Sequence, residues 1–359
     1  MKKPVLKTLE IISLVAGLAL FVYLMRQIGL DALAHYLGAM GWGFALIVAL
    51  SFLRNCARAA SWYFSIEPSH RQVGYWSLMN VMLAGEAIKY LTATGPLLGE
   101  PAKAAMVRRE VPLVHGFSSI LVENLIYNLT VFLFMLAGLP ALVWLVDMPD
   151  KLQAGAYIFA TLIILSVLIT WLAIRGRWYA LARMIEVAAR LTGRRNQQAA
   201  QAERGRFASI IERVRAVEKN IYIFYEERRA AFFLIFALNT AAHLINVVEI
   251  YIILSLMGLP ASLSSAFVIE AVTKLINAAF FFVPTRAGVY ESGNAIVLKA
   301  LGMEASAGVA LAIIRKLRAF VWIGYGLAVI ALLTLKDRRT DELRVKPCDG
   351  EEEASDFGY

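Results

Sequence analysis

The sequence predicts an all-α fold: a polytopic membrane helical bundle of about six to eight spans, with two re-entrant helical hairpins in an inverted repeat. Three observations lead there. The 359 residues are 59% hydrophobic with a mean hydropathy of +0.63, above the ~45–50% apolar content of soluble domains. The apolar residues fall in runs of roughly 20, enough to cross a hydrocarbon core as helix. Two stretches are broken by Pro and Gly and carry charge where lipid would demand neither. These are Thr94-Gly95-Pro96-Leu97-Leu98-Gly99-Glu100-Pro101-Ala102-Lys103 and Val283-Pro284-Thr285-Arg286-Ala287-Gly288-Val289-Tyr290-Glu291.

The first membrane half covers 1–174. Span one, about 9–25, follows a basic N-terminus (Lys2, Lys3, Lys7), which puts that end in the cytoplasm. No small-residue cleavage site precedes Tyr23-Leu24-Met25-Arg26, so the run reads as an uncleaved span. Loop 26–42 has only Arg26 and Asp31 as formal charges and fits the outside. Span two, about 43–66, returns inward with Arg54, Arg58 and Trp62 on one face. Those residues read as anchors snorkelling to the cytoplasmic interface, or as contacts to a lipid headgroup. Residues 75–109 read as the first re-entrant segment, a helical hairpin, with two thin full spans as the alternative. Its helix 75–92 holds Glu86 and Lys89 one turn apart, close enough to neutralise each other. It stops at Gly95-Pro96, and a short helix continues to Arg108-Arg109. A long span from about 114 to 138, an external loop 139–153 and a span 155–174 ending at Arg175 and Arg177 complete the half.

Residues 175–230 form a basic amphipathic cytoplasmic section. Of the net charge of +9, this section alone contributes thirteen Lys/Arg against six Glu. Trp178, Tyr179, Leu181, Met184 and Ile185 make an apolar side suited to the anionic inner leaflet. The positive-inside bias accounts for the basic surplus without nucleic acid as a partner. The second membrane half covers 231–335. Helix 231–257 sets Asn239, His243, Asn246 and Glu249 on one stripe, which belongs inside a bundle. His243 reads there as a helix–helix hydrogen-bond partner. Residues 263–303 form the second re-entrant segment, entered from outside, with Glu270 and Lys274 at i, i+4. The last span, about 305–335, exits at Lys336, Arg338 and Arg339, and 336–359 is a polar, disordered cytoplasmic tail.

Both halves therefore run in the same order: a helix with an acid/base pair, a Pro/Gly break, a loop, then a span with charge at its heart. Glu123 follows Gly116 by seven residues, and Arg315 follows Gly308 by seven. Charge at mid-membrane is costly, ~2.5–3.5 kcal/mol on insertion scales. One reading pairs Glu123 with Arg315 across the repeat; another has both line a hydrated groove for a polar headgroup. Helix starts after a break leave N–H groups free, and these attract phosphate or carboxylate. Glu100 and Glu291 sit near such starts, with Lys103 and Arg286 as the adjacent bases.

Chemistry of other kinds lacks its residues. Cys56 and Cys348 have no framework spacing, and His35, His70, His115 and His243 are scattered with no HExxH. Neither a metal nor another cofactor is expected, and no catalytic arrangement stands out. Four short motifs carry a resemblance: Gly99-Glu100-x-x-Lys103, Val122-Glu123-Asn124, Pro284 with Gly288-x-x-Glu291, and Arg315-Lys316-x-Arg318. In these the chain resembles the flippase-like membrane domain of lysylphosphatidylglycerol synthases, and among its stand-alone relatives the hopanoid-biosynthesis-associated membrane proteins. Asn124 stands where the family often has Arg, and Arg286-Ala287 where it often has a glycine pair. The resemblance implies a multi-span fold in the cytoplasmic membrane that binds or moves a membrane lipid (phospholipid, isoprenoid or hopanoid). Aminoacyl transfer is not carried over from the resemblance, since the chain is expected to lack the large soluble transferase domain of the synthases.

The leading expectation is a lipid transporter with Glu100, Lys103, Glu123, Asn124, Arg286, Glu291 and Arg315 about a mid-membrane groove between the repeats, and both termini cytoplasmic. The alternative is a non-transporting adaptor that recruits a biosynthetic enzyme through its basic loop. A homo-oligomer stays open, since no interface is apparent.

Overall fold

The computed structural model describes residues 38, 40–92, 96–145, 150–192, 200–279 and 289–345. The run 9–25, the Thr94-Gly95 break, the second break with Arg286 and the acidic tail lie outside them. Among the described residues there are eleven α-helices and no strand. The first four are α1 (Gly43–Ser65), α2 (Tyr75–Leu91), α3 (Pro96–Met106) and α4 (Leu113–Leu145). Then come α5 (Asp150–Arg175), α6 (Ala180–Thr192) and α7 (Ala200–Glu227). The last four are α8 (Arg229–Leu256), α9 (Leu263–Ala279), α10 (Val289–Ala300) and α11 (Ala305–Val345). Five of these, α1, α4, α5, α8 and α11, are long and apolar enough to cross a membrane. The protein is a polytopic helical membrane protein.

Local chemistry explains the breaks. α2 ends where Thr92 turns extended, and its hydroxyl donates back to the Ile88 carbonyl at 2.8 Å. α3 restarts on Pro96, whose fixed φ suits a first helical position. α4 continues through Pro140 to Leu145, so the external loop expected from 139 begins later. The apolar run Ala141-Leu142-Val143-Trp144-Leu145 sustains the helix, since a proline removes one N–H bond without ending an otherwise apolar, lipid-embedded helix.

The two quartets α1–α4 and α8–α11 use one scheme of neighbours. α1 and α8 share the most extensive helix–helix contact. α2 packs on α3 and α3 on α4; likewise α9 packs on α10 and α10 on α11. The quartets then interlock, with α2 against α11 and α9 against α4. Two apolar cores lie chiefly in one quartet each, the second also taking in Ile47 of α1 and Phe134 of α4. Ile66, Leu78, Met82, Val111 and Ile120 fill the first; Ile250, Leu254, Ile269, Leu298 and Leu311 fill the second. Glycine lets the interlock close. A Cβ on Gly138 would stand 2.1 Å from Ala271 Cβ, and one on Gly326 would stand 2.5 Å from the Leu83 carbonyl oxygen.

α5 touches α4 alone among its stronger contacts. Only 6% of its most apolar stretch is buried, and Ile158, Leu162, Leu165 and Ile169 face outward as lipid-facing residues do. Beyond α5 the backbone turns sharply, with Arg177 (φ 46°) and Tyr179 (φ 47°) left-handed. This costs ~1 kcal/mol or more per residue. Polar contacts from α7 offset it. Tyr222 Oη accepts from Tyr179 N at 3.0 Å, and the Glu218 carboxylate accepts from the first N–H groups of α6, Leu181 (2.8 Å) and Ala182 (3.3 Å). The link after α1 is fixed too. Arg228 donates to the carbonyls of Phe64 (2.8 Å) and Ser65 (3.1 Å), and burial, with neighbouring Arg71, holds its guanidinium below the ordinary value.

Candidate functional site

A polar chamber of about 240 Å³ lies between the quartets. α1 supplies Arg54, Asn55 and Arg58; α2 supplies Glu86 and Tyr90; α4 supplies Tyr127; α8 supplies His243 and Asn246; α11 supplies Trp322. These helices bring polar groups together because the α8 stripe faces inward. Asn239, His243, Asn246 and Glu249 are all buried, as their spacing predicts. His243 Nε2 meets Thr130 Oγ1 of α4 at 3.0 Å, a helix–helix hydrogen bond. Arg54 donates to Asn246 Oδ1 (3.3 Å) and Asn55 Oδ1 (3.0 Å), and Arg58 lies 4.4 Å above the Tyr127 ring. A larger cleft of about 430 Å³, between α4, α5, α7 and α8, is mostly apolar and shares no lining residue with the chamber.

Two ion clusters flank the chamber. In the first quartet Arg58 bridges two acids, Glu86 (3.8 Å) and Glu123 (3.4 Å). Glu86 also meets Lys89 (3.6 Å) and Lys103 (2.9 Å), and Glu100 joins the same two lysines at 3.4 and 3.2 Å. In the second quartet Glu270 bridges two bases, Lys274 and Arg315, each at 2.8 Å. Glu249 pairs with Arg318 and lies 3.6 Å from Arg315, while Lys316 holds Glu291. The registers match. Glu86 and Lys274 are each the twelfth residue of a 17-residue helix. Glu123 and Arg315 are each the eleventh residue of α4 and α11. The same two places hold acids in one quartet and bases in the other.

The clusters do not balance. Arg54, Arg58, Lys89, Lys103, Lys274, Arg315, Lys316 and Arg318 are eight cations. They face six carboxylates: Glu86, Glu100, Glu123, Glu249, Glu270 and Glu291. None of the fourteen is exposed, and Arg54 has no carboxylate partner among the described residues. Buried donors stay unsatisfied at Asn55 Nδ2, Arg58 Nε, Arg315 Nε and Nη1, and Arg318 Nε, as do the acceptors Glu100 Oε2 and Glu249 Oε1. Unpaired buried donors each cost ~1–3 kcal/mol, more when charged. Of these, Asn55 and Arg58 line the chamber, where their free donors suit an anion with acceptor oxygens.

The sequence reading is corrected in three places. Glu123 and Arg315 do not pair with each other: Glu123 takes Arg58, and Arg315 takes Glu270 and Glu249, each finding a counter-ion inside its own quartet. Arg54, Arg58 and Trp62 do not snorkel. They turn inward, with Trp62 Nε1 donating to Ser119 Oγ at 3.1 Å, because buried acids and amides lie on that side. Two histidines that look scattered, His70 and His115, stack with centroids 3.8 Å apart. The self-neutralising pairs hold: Glu86 with Lys89, and Glu270 with Lys274. Of the expected site residues, Glu100, Lys103, Glu123, Glu291 and Arg315 stand in the ion clusters behind the lining. Asn124 is half-buried beside Glu123, and Arg286 lies outside the described residues. Sequence reasoning missed Asn55 and Tyr127 as lining; their positions four residues from Ser51 and from Glu123 were the available signal.

No curated protein and no solved structure matches the chain. The family profile described as Lysylphosphatidylglycerol synthase TM region matches residues 11–328, a stretch that takes in the first quartet, the second as far as residue 328 of α11, both ion clusters and the chamber. The chain belongs to the lysylphosphatidylglycerol synthase transmembrane-region family.

Proposed function

We propose that the protein is a lipid transporter that takes the anionic headgroup of a membrane lipid into the chamber between its two quartets. The observation that carries this reading is the excess of positive charge among the described residues of the two clusters and the chamber: eight cations against six carboxylates, with none of those carboxylates in ion-pair contact with Arg54. A buried charge without a counter-ion is strongly unfavourable, and a phosphate or carboxylate seated between Arg54, Asn55, Arg58 and Asn246 removes that penalty. Membership of this family supports a lipid as the bearer of the anion. The substrate class is a phospholipid, or an isoprenoid or hopanoid with an acidic headgroup. Glu123 and Glu86 orient Arg58, and Glu270 and Glu249 orient Arg315.

The matched registers of α2 with α9 and of α4 with α11 support a repeat. Inserted in opposite senses, two such units exchange access by rocking about the α1–α8 contact. The home is the cytoplasmic membrane, with both termini and the α6–α7 section inside. The chain acts as a carrier, with no chemical step on the lipid. The test is translocation of a fluorescent anionic phospholipid in proteoliposomes. Arg54→Gln and Arg58→Gln are expected to lower the rate at least about tenfold while a zwitterionic analogue is less affected. Unchanged rates in both folded variants rule the chamber out as the headgroup site.

A further inference from the structure

We propose that Glu67, His70 and His115 bind a single divalent transition-metal ion, with Zn²⁺ the best match, where the α1–α2 link meets the first turn of α4. His70 ends the 3₁₀ turn Pro68–His70, Glu67 precedes that turn, and His115 is the third residue of α4. The three side chains converge although the sequence separates the histidines widely. Glu67 Oε2 lies 3.3 Å from His70 Nδ1 and 3.5 Å from His115 Nδ1. All three donor atoms lie within 4.8 Å of one another. The imidazoles are stacked, 3.8 Å apart and 17° from parallel.

A carboxylate bonded to an imidazolium closes to ~2.7–2.9 Å, shorter than either contact here. Ligands at ~2.0–2.1 Å from one tetrahedral zinc ion stand roughly 3.3 Å apart, close to the two separations between Glu67 and the histidines. Each Nδ1 lone pair lies in the plane of its ring, so an ion held by both histidines turns the two rings out of their stack. Neutral imidazoles with one carboxylate are a donor set that zinc favours.

Two arginines brace the backbone around the site. Arg71 donates to the Ile66 carbonyl at 2.9 Å, and Arg228 clasps the Phe64 and Ser65 carbonyls. Both arginines are thus committed to backbone near the site. Ser69 Oγ lies 3.0 Å from His70 Nδ1 and is the group that lone pair accepts from when no ion is bound. Glu67 is exposed, which leaves a coordination position open to water. The α1–α2 link and the start of α4 are the two ends of the α2–α3 segment. An ion at this point fastens both ends of the broken segment together.

The test uses the full chain, purified in detergent without a polyhistidine tag and stripped with a chelator. Calorimetric titration with Zn²⁺ is expected to give one ion per chain, and titration with Co²⁺ the intense visible bands of a tetrahedral site. His115→Ala and Glu67→Gln should each weaken Zn²⁺ binding at least about tenfold. The proposal fails if His70→Ala/His115→Ala takes up Zn²⁺ like the parent, or if cobalt gives only the weak spectrum of its hydrated ion. The cobalt spectrum is read on the parent protein, so a variant that does not fold leaves the decision intact.

Discussion

Arg58 and Glu270 occupy the same role with opposite charge. Arg58 ties Glu86 of α2 to Glu123 of α4, and Glu270 ties Lys274 of α9 to Arg315 of α11. Each is the charge that allows two like charges to share a buried space.

The bridges predict a particular order of stabilities. Arg58→Gln leaves Glu123 without its ion partner, a loss of ~3–5 kcal/mol for a buried pair broken on one side. Glu123→Gln removes the second charge with the first, so Arg58→Gln/Glu123→Gln should be more stable than Arg58→Gln alone. Thermal unfolding of the four proteins in detergent checks this; strict additivity refutes the pairing.

The interlock predicts a steric result. Gly138 meets Ala271, and Gly326 meets the Leu83 carbonyl and Ala87, so neither close approach leaves room for a side chain. Gly326→Leu and Gly138→Leu should each cost ~1–3 kcal/mol through overpacking, whereas Gly155→Leu, with open space around it, should be neutral. Comparison of their melting temperatures decides it, and equal values for all three would remove the α2–α11 and α4–α9 seams as tight contacts.

α6 predicts a membrane contact. Leu181, Met184 and Val187 are exposed along one side, while Arg183 and Glu186 point elsewhere, Glu186 to Arg215 of α7. An environment-sensitive fluorophore at Met184→Cys, with Cys56 and Cys348 replaced, should shift to the blue in vesicles rich in anionic lipid and less so in neutral ones. Identical spectra in the two lipids would count against the inner leaflet as a partner.

Much of the bundle was legible because lipid punishes polar groups so heavily. The α8 stripe could only face inward, and Glu86–Lys89 and Glu270–Lys274 were audible in their spacing alone. What a single helix cannot disclose is its neighbour. The charge of Glu123 demanded a base, yet nothing in α4 distinguished Arg58 from Arg315. Arg54 and Arg58 beside Trp62 have the composition of an interfacial anchor, and only the acids and amides of other helices turn that face inward. The meeting of His70 with His115 depends on a turn and a helix start joined through α2 and α3, a relation no local pattern contains.

The opposite charges at matched helix positions also bear on how such a molecule can be encoded. Two identical copies of one quartet, paired by a two-fold axis, would carry the same residue at both positions. Acids at Glu86 and Glu123 with bases at Lys274 and Arg315 demand two quartets free to differ. A single chain that holds both meets that demand, and no homodimer of either quartet can reproduce it.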